Sequence, residues 1–146
     1  MGHCVSEEEN MAVIRRWIEE GWNQRDPDLI DELFSPDFVV RGGPNGFGDI
    51  EHYKHYVCTK QDAFPDFHFE IRDCIAAGDI VVITYRVTGT HSRAYGVHEP
   101  TGRQLDTVVI DLWSVVDGRI TERLNTEFSK NQIEEQLGFD PVYVPA

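Results

Sequence analysis

The hydrophobic pattern of this 146-residue chain changes period once, at Pro65. Before that point apolar residues recur at helical spacing. Val13, Ile14, Trp17, Ile18 and Trp22 form one stripe, Leu29, Ile30, Leu33 and Phe34 a second, and Ile50, Tyr53, Tyr56 and Val57 a third. Beyond it, the runs 67–76, 80–90, 105–116 and 119–128 alternate with period two and are rich in Val, Ile, Thr, Phe and Tyr. Three helices followed by long strands describe an α+β domain with a curved antiparallel sheet.

Cap and turn chemistry sets the boundaries. Ser6 with Glu9 forms a capping box that opens a long first helix, and Asp26 followed by Pro27 predicts the start of a short second one, stopped by Ser35-Pro36. A strand is expected over 37–41, a glycine-rich lip over 42–48 and a third helix over 49–61. Ala77-Gly78-Asp79 turns one strand into the next, and Asp117-Gly118 is a two-residue hairpin signal. A second capping box, Ser129 with Gln132, starts a short helix ending at Gly138, and Pro141 and Pro145 keep the tail extended.

With 40% apolar and 27% charged residues, the chain reads as one domain over 1–146, with a core over about 6–138 and an extended tail over 139–146. A chain of this size buries roughly 68–70% of its unfolded surface around a single core. Its net charge of -13, with no basic stripe, argues against nucleic acid and anionic membranes as partners. Cys4, Cys58 and Cys74 are odd in number and lack C-x-x-C spacing, so neither a disulfide framework nor a thiolate zinc site is expected. With no membrane-spanning run and no apolar signal segment, the sequence reads as cytoplasmic. Met1-Gly2-His3-Cys4-Val5-Ser6 carries the letters of an N-myristoylation pattern, a short match that also arises by accident.

Asp111 interrupts the apolar run Val108-Val109-Ile110-Asp111-Leu112-Trp113 in what should be a central strand. Facing inward, its carboxyl would be desolvated and suited to taking a proton beside a carbonyl; facing outward, or paired with Arg86, it would be an ordinary surface charge. The same parity decides whether Val108, Ile110 and Leu112 form an exposed apolar strip or core. Trp17, Tyr53, Tyr56, Phe64, Tyr85 and Trp113 are candidates to line an aromatic cavity for a flat apolar substrate, and equally candidates for packing. His52 and His55 share a helix face without an identifiable third ligand, so no metal is expected and they read as surface residues. The glycines over 42–48 lack a phosphate-loop lysine and register, and neither Cys58 nor Cys74 has a base partner, so neither a nucleotide cofactor nor covalent catalysis is expected.

Several short motifs occur in order along the chain: Trp17-x-x-x-x-Trp22-Asn23, Asp37-Phe38, Ala63-Phe64-Pro65-Asp66, Gly89-Thr90-His91, Pro100-Thr101-Gly102-Arg103, Asp117-Gly118 and Gln136-Leu137-Gly138. In this order they resemble the SnoaL-like polyketide cyclase family, a branch of the nuclear-transport-factor-2-like folds. The resemblance implies a cone-shaped, curved antiparallel sheet with three N-terminal helices enclosing a pocket, no organic cofactor, and a homodimer paired through the outer face of the sheet.

It also implies ring closure of a small apolar polyketide-type intermediate by general acid–base catalysis. In similar chains the strand after the Asp-Gly turn reads approximately Ile-x-Glu-x-Trp and leads to an acidic base. Here the run is Ile120-Thr121-Glu122-Arg123-Leu124, and Asn125, Phe128 or Ser129 takes the acidic position, depending on register. Glu127 shares a strand face with Asn125 and could replace the acid with longer reach, while Asn125 suits donation to an enolate oxygen. His91 and His98, at the ends of a loop, are a further acid–base candidate and a candidate substrate contact. The altered acidic position leaves isomerisation, dehydration or epoxide opening as alternatives, and a small-molecule-binding dimer without turnover as a third.

Overall fold

A computed structural model describes residues 6–41, 48–127 and 136–138, with the side chains of 125–127 outside the description. The elements are α1 (Glu7–Arg16), which runs on into a π-helix (Trp17–Asn23), α2 (Leu29–Leu33), β1 (Phe34–Val40), β2 (Gly48–Asp49), α3 (Ile50–Ala63), β3 (His68–Ala77), β4 (Ile80–Thr90), β5 (Gln104–Val116) and β6 (Arg119–Glu127). Residues 1–5 of the N-terminal lipidation letters, the lip over 42–47, the start of the helix expected from Ser129 and the tail lie outside the described residues; Gln136 and Leu137 are helical, and Gly138 follows at φ 81°, as the expected end of that helix requires.

The six strands form one curved, unclosed sheet in the order β2-β1-β6-β5-β4-β3, parallel between β1 and β6 and antiparallel elsewhere. This is the expected α+β cone. The inward face of β4 and β5 carries Val81, Ile83, Tyr85 and Val87 beside Leu105, Val109, Trp113 and Val115, all buried against the helical stripe of Ile14, Trp17, Ile18 and Trp22. Asp111 lies on that same inward face, 2% exposed.

Local chemistry explains where elements depart from their predicted bounds. The Ser6 hydroxyl accepts from the Glu9 N–H at 3.1 Å, as a cap should. The first helix then widens into a π-turn at Gly21, where an added Cβ would lie 2.1 Å from the Trp17 ring. Only glycine lets that indole lie over the backbone. Asn23 ends this segment by bonding both backbone groups of Phe69, donating to its C=O at 2.8 Å and accepting from its N–H at 2.7 Å. It stands in as a strand partner at the sheet edge, and so fixes Phe69 against the helices.

The second helix begins at Leu29, a turn later than Asp26-Pro27 suggests, because Leu29 and Ile30 first close short turns back to Asp26 and Pro27. Ser35-Pro36 falls inside β1 and does not precede it. The pairing of β1 with β6 is irregular between Phe34 and Val39, so Pro36 omits no regular ladder bond. The third helix is capped by Asp49, whose Oδ1 accepts from the His52 N–H at 2.9 Å, and extends to Ala63. Arg25 supports its end by donating to the C=O of Gln61 at 2.7 Å.

Candidate active site

An aromatic pocket opens to solvent between α3 and the inward face of the sheet. Tyr53, Tyr56 and Lys60 come from successive turns of α3, and Trp22 from the π-helix. Phe67 and Phe69 lead into and begin β3; Tyr85 and Val87 project from β4; Leu105, Thr107, Val109 and Asp111 alternate along β5; Arg123 comes from β6. Trp22 stacks on Phe69 at 4.9 Å, which in turn lies 4.9 Å from Tyr85, so one wall is a continuous aromatic surface.

Asp111 is the carboxylate among the described lining residues, and its Oδ2 accepts a hydrogen bond from the Tyr85 hydroxyl. Burial raises the pKa of Tyr85 well above its ordinary value, and the neighbouring Asp111 raises it further, so the phenol keeps its proton and donates it. Burial also holds Tyr53 and Tyr56 protonated, with Arg123 pulling the other way and Asp111 adding to the rise. The Tyr53 oxygen already accepts from the Trp17 indole N–H at 3.1 Å, which leaves its own proton to donate. Three phenolic O–H groups and one carboxylate thus surround a space lined chiefly by hydrocarbon.

Arg123 was not among the residues that the sequence singled out. It is 6% exposed, and its guanidinium lies 5.3 Å from the ring centres of both Tyr53 and Tyr56. Burial works against its charge, but Tyr56, Tyr53, Asp111 and Tyr85 more than offset that, and its pKa stays above the usual value. A bulge brings it inside. Val115 faces Ile120 and Ser114 faces Glu122, so Thr121 is the extra residue, and Trp113 then faces Arg123. Without that extra residue, strict alternation from the buried Ile120 would turn Glu122 inward and Arg123 outward. Glu122 instead receives Arg41 at 2.7 Å on the outside. Lys60 was legible in principle, since it continues the stripe of Tyr53, Tyr56 and Val57 by one more turn.

The other predicted residues divide by place. Tyr53, Tyr56 and Tyr85 line the pocket with Asp111, whereas Trp17 and Trp113 are buried beside it, each packed on Phe34 and Tyr53. Phe64 stacks on Phe67 at 5.0 Å, outside the lining. His91 is buried under the loop to β5, its Nδ1 accepting from the Thr101 N–H at 3.2 Å, and burial with His98 nearby lowers its pKa. His98 pairs its backbone with Tyr95 in that loop. Along β6, Asn125 stands opposite Leu112 and Glu127 opposite Ile110, with Thr126 opposite Asp111; the side chains of all three lie outside the described residues. Arg86 pairs with Asp106 at 2.6 Å and not with Asp111. No group of three potential metal ligands occurs among the described residues.

A bent, unclosed sheet under N-terminal helices, with a buried acid in the hollow, defines a ketosteroid isomerase-like cone. The chain belongs to the SnoaL-like domain family, whose model matches residues 14–123. Its fold is similar to that of a proposed SnoaL-like polyketide cyclase from Jannaschia sp. CCS1, at 22% identity and TM-score 0.83 over 96% of this chain and 100% of that one. IdmH of Streptomyces antibioticus, a proposed polyketide cyclase, is 28% identical with TM-score 0.75 over 88% of this chain and 98% of IdmH. A Catenulispora acidiphila protein of ketosteroid isomerase-like fold, in complex with trimethylamine, is 18% identical with TM-score 0.71 over 91% of this chain and 97% of that one. No protein of curated function matches the chain. Family and fold place it with enzymes of the cyclase and isomerase type.

Proposed function

We propose that this protein closes a ring in a small, largely apolar polyketide-type intermediate by general acid–base catalysis, without an organic cofactor. The observation that carries the reading is the Asp111 carboxylate, held by the Tyr85 O–H at the wall of the aromatic pocket. Asp111 takes a proton from a carbon beside a carbonyl; that C–H bond breaks and its electron pair passes to the enolate oxygen. The enolate carbon adds to a second carbonyl of the same molecule, forming a C–C bond, and the proton held by Asp111 passes to the new alkoxide. Tyr53 and Tyr56, kept protonated by burial, donate to the oxygen on which charge develops. The aromatic wall excludes water from the enolate.

Asn125 and Glu127 follow Arg123 on β6 at register positions opposite Leu112 and Ile110, which belong to the outer face of β5, so this reading assigns the proton transfer to Asp111 and gives neither of them a step. His91 and His98 lie outside the pocket lining, and in this reading they order the loop before β5, His91 through Thr101 and His98 through its backbone pairing with Tyr95. The protein works as a homodimer, a reading supported by Val108 and Ile110, which are 45% and 39% exposed on the outer face of β5. Free thiols at Cys58 and Cys74 support a reducing, cytoplasmic setting, and no helix among the described residues is long and apolar enough to cross a membrane.

Base catalysis is tested with 5-nitrobenzisoxazole, which opens to a coloured phenolate when its ring proton is removed. The wild-type protein accelerates this reaction over buffer, and Asp111→Asn, which keeps shape and an acceptor for Tyr85, lowers the acceleration by about 10²-fold or more. A folded Asp111→Asn variant with undiminished acceleration would overturn the reading.

A further inference from the structure

The described lining of the pocket carries two cationic side chains, Lys60 and Arg123, against one carboxylate, and that carboxylate already accepts from Tyr85. Arg123 is more than nine-tenths buried; the Tyr56 hydroxyl takes one bond from its guanidinium, and its Nε has no hydrogen-bond partner among the described residues. Its guanidinium is covered by the Tyr53 and Tyr56 rings, each centred 5.3 Å away, and no carboxylate among the described residues lies in ion-pair contact with it. A buried guanidinium is costly unless its fork of donors is used, and the group it fits best is a planar carboxylate or an equivalent delocalised oxyanion.

Resting on the ring-closure reading above, we propose that the pocket takes its substrate as an anion, an aromatic or polyketide acid whose carboxylate is bound by Arg123, and discriminates against the neutral ester of the same acid. The bulge at Thr121 makes this selection, because it points Arg123 into the pocket where unbroken alternation would point Glu122. Lys60, 5% exposed, lies across the pocket on α3, 4.2 Å from the Tyr95 ring centre. The substrate's acid group therefore lies toward Arg123, while its reacting carbon faces Asp111 on the neighbouring strand β5.

The test is calorimetric titration of the full chain with 2-naphthoate and with methyl 2-naphthoate at pH 7.5. The acid binds at least about tenfold more tightly than the ester to the wild-type protein, and Arg123→Gln removes that preference while Arg123→Lys restores part of it. Equal affinity for acid and ester in the wild-type protein overturns the proposal, and this arm needs no variant to fold. A preference that survives in folded Arg123→Gln overturns it as well, since the anion then sits elsewhere. Deprotonation of 5-nitrobenzisoxazole by Asp111 is measured separately. Its absence sinks the catalytic reading without touching the acid preference, and its presence does not rescue the anion site if that preference is missing.

Discussion

Tyr85 and Asp111 are diagonal neighbours on the inward face of two paired strands. Tyr85 stands directly opposite Val109 in the β4–β5 ladder, and Asp111, two residues along, reaches across to accept its hydroxyl proton. The pair is set by strand register, so its geometry is as rigid as the sheet.

Replacing Tyr85 with Phe leaves a buried carboxylate short of one donor. The expected cost is about 1–3 kcal/mol of stability, or about 2–4 °C of thermal midpoint per kcal/mol for a chain of this size. The deprotonation rate should also fall, though less than in Asp111→Asn. Wild-type stability in Tyr85→Phe would mean that the hydrogen bond contributes nothing to the fold.

Gly21 is the position at which the first helix can least accept a side chain. A Cβ there meets the Trp17 ring at 2.1 Å, and Trp17 is fully buried between Phe34, Tyr53 and Trp22. Gly21→Ala should cost about 1–3 kcal/mol by overpacking. Urea unfolding measures this, and a loss below about 0.5 kcal/mol would show that the indole swings aside freely.

His91 links stability to pH. Its pKa in the folded protein is lowered from the ordinary 6.5 by burial and by His98, so the unfolded chain takes up a proton first as the solution is acidified. The contribution of neutral His91 is fully present above pH 6.5 and is lost as pH falls below that toward the folded value. The wild-type urea midpoint should therefore drop more between pH 7.5 and 5.5 than that of His91→Asn. Parallel drops in the two proteins would contradict the assignment.

The outer face of β5 leads to a separate expectation. Val108→Lys combined with Ile110→Lys places charges on two residues already partly in water, so the fold should survive. Analytical ultracentrifugation should then show a wild-type dimer and a monomeric variant of unchanged circular dichroism. A monomeric wild-type protein at the same concentration would remove the dimer reading.

Much of the fold was legible because it depends on local period and punctuation. The change at Pro65 separates the helices from the four long strands β3 to β6, β4 spans Ile80–Thr90 as its alternation suggests, and Asp117-Gly118 turns with both residues at positive φ, 51° and 76°. Tyr53, Tyr56 and Tyr85 could be named as cavity candidates from their stripes, although Trp17, Phe64 and Trp113 carried the same signal and are packed outside the lining. An aromatic residue on an apolar stripe looks the same whether it faces a neighbour or a hollow.

Sequence alone determined the order of elements, the caps and turns, and the presence of one acid in an apolar strand, since each depends on residues within a few positions of one another. Which way that acid faces, and whether Glu122 or Arg123 enters the pocket, was decided only in the assembled sheet. Strand parity is a matter of pairing with distant neighbours, and a single unpaired residue at Thr121 reverses it without leaving a distinctive local pattern.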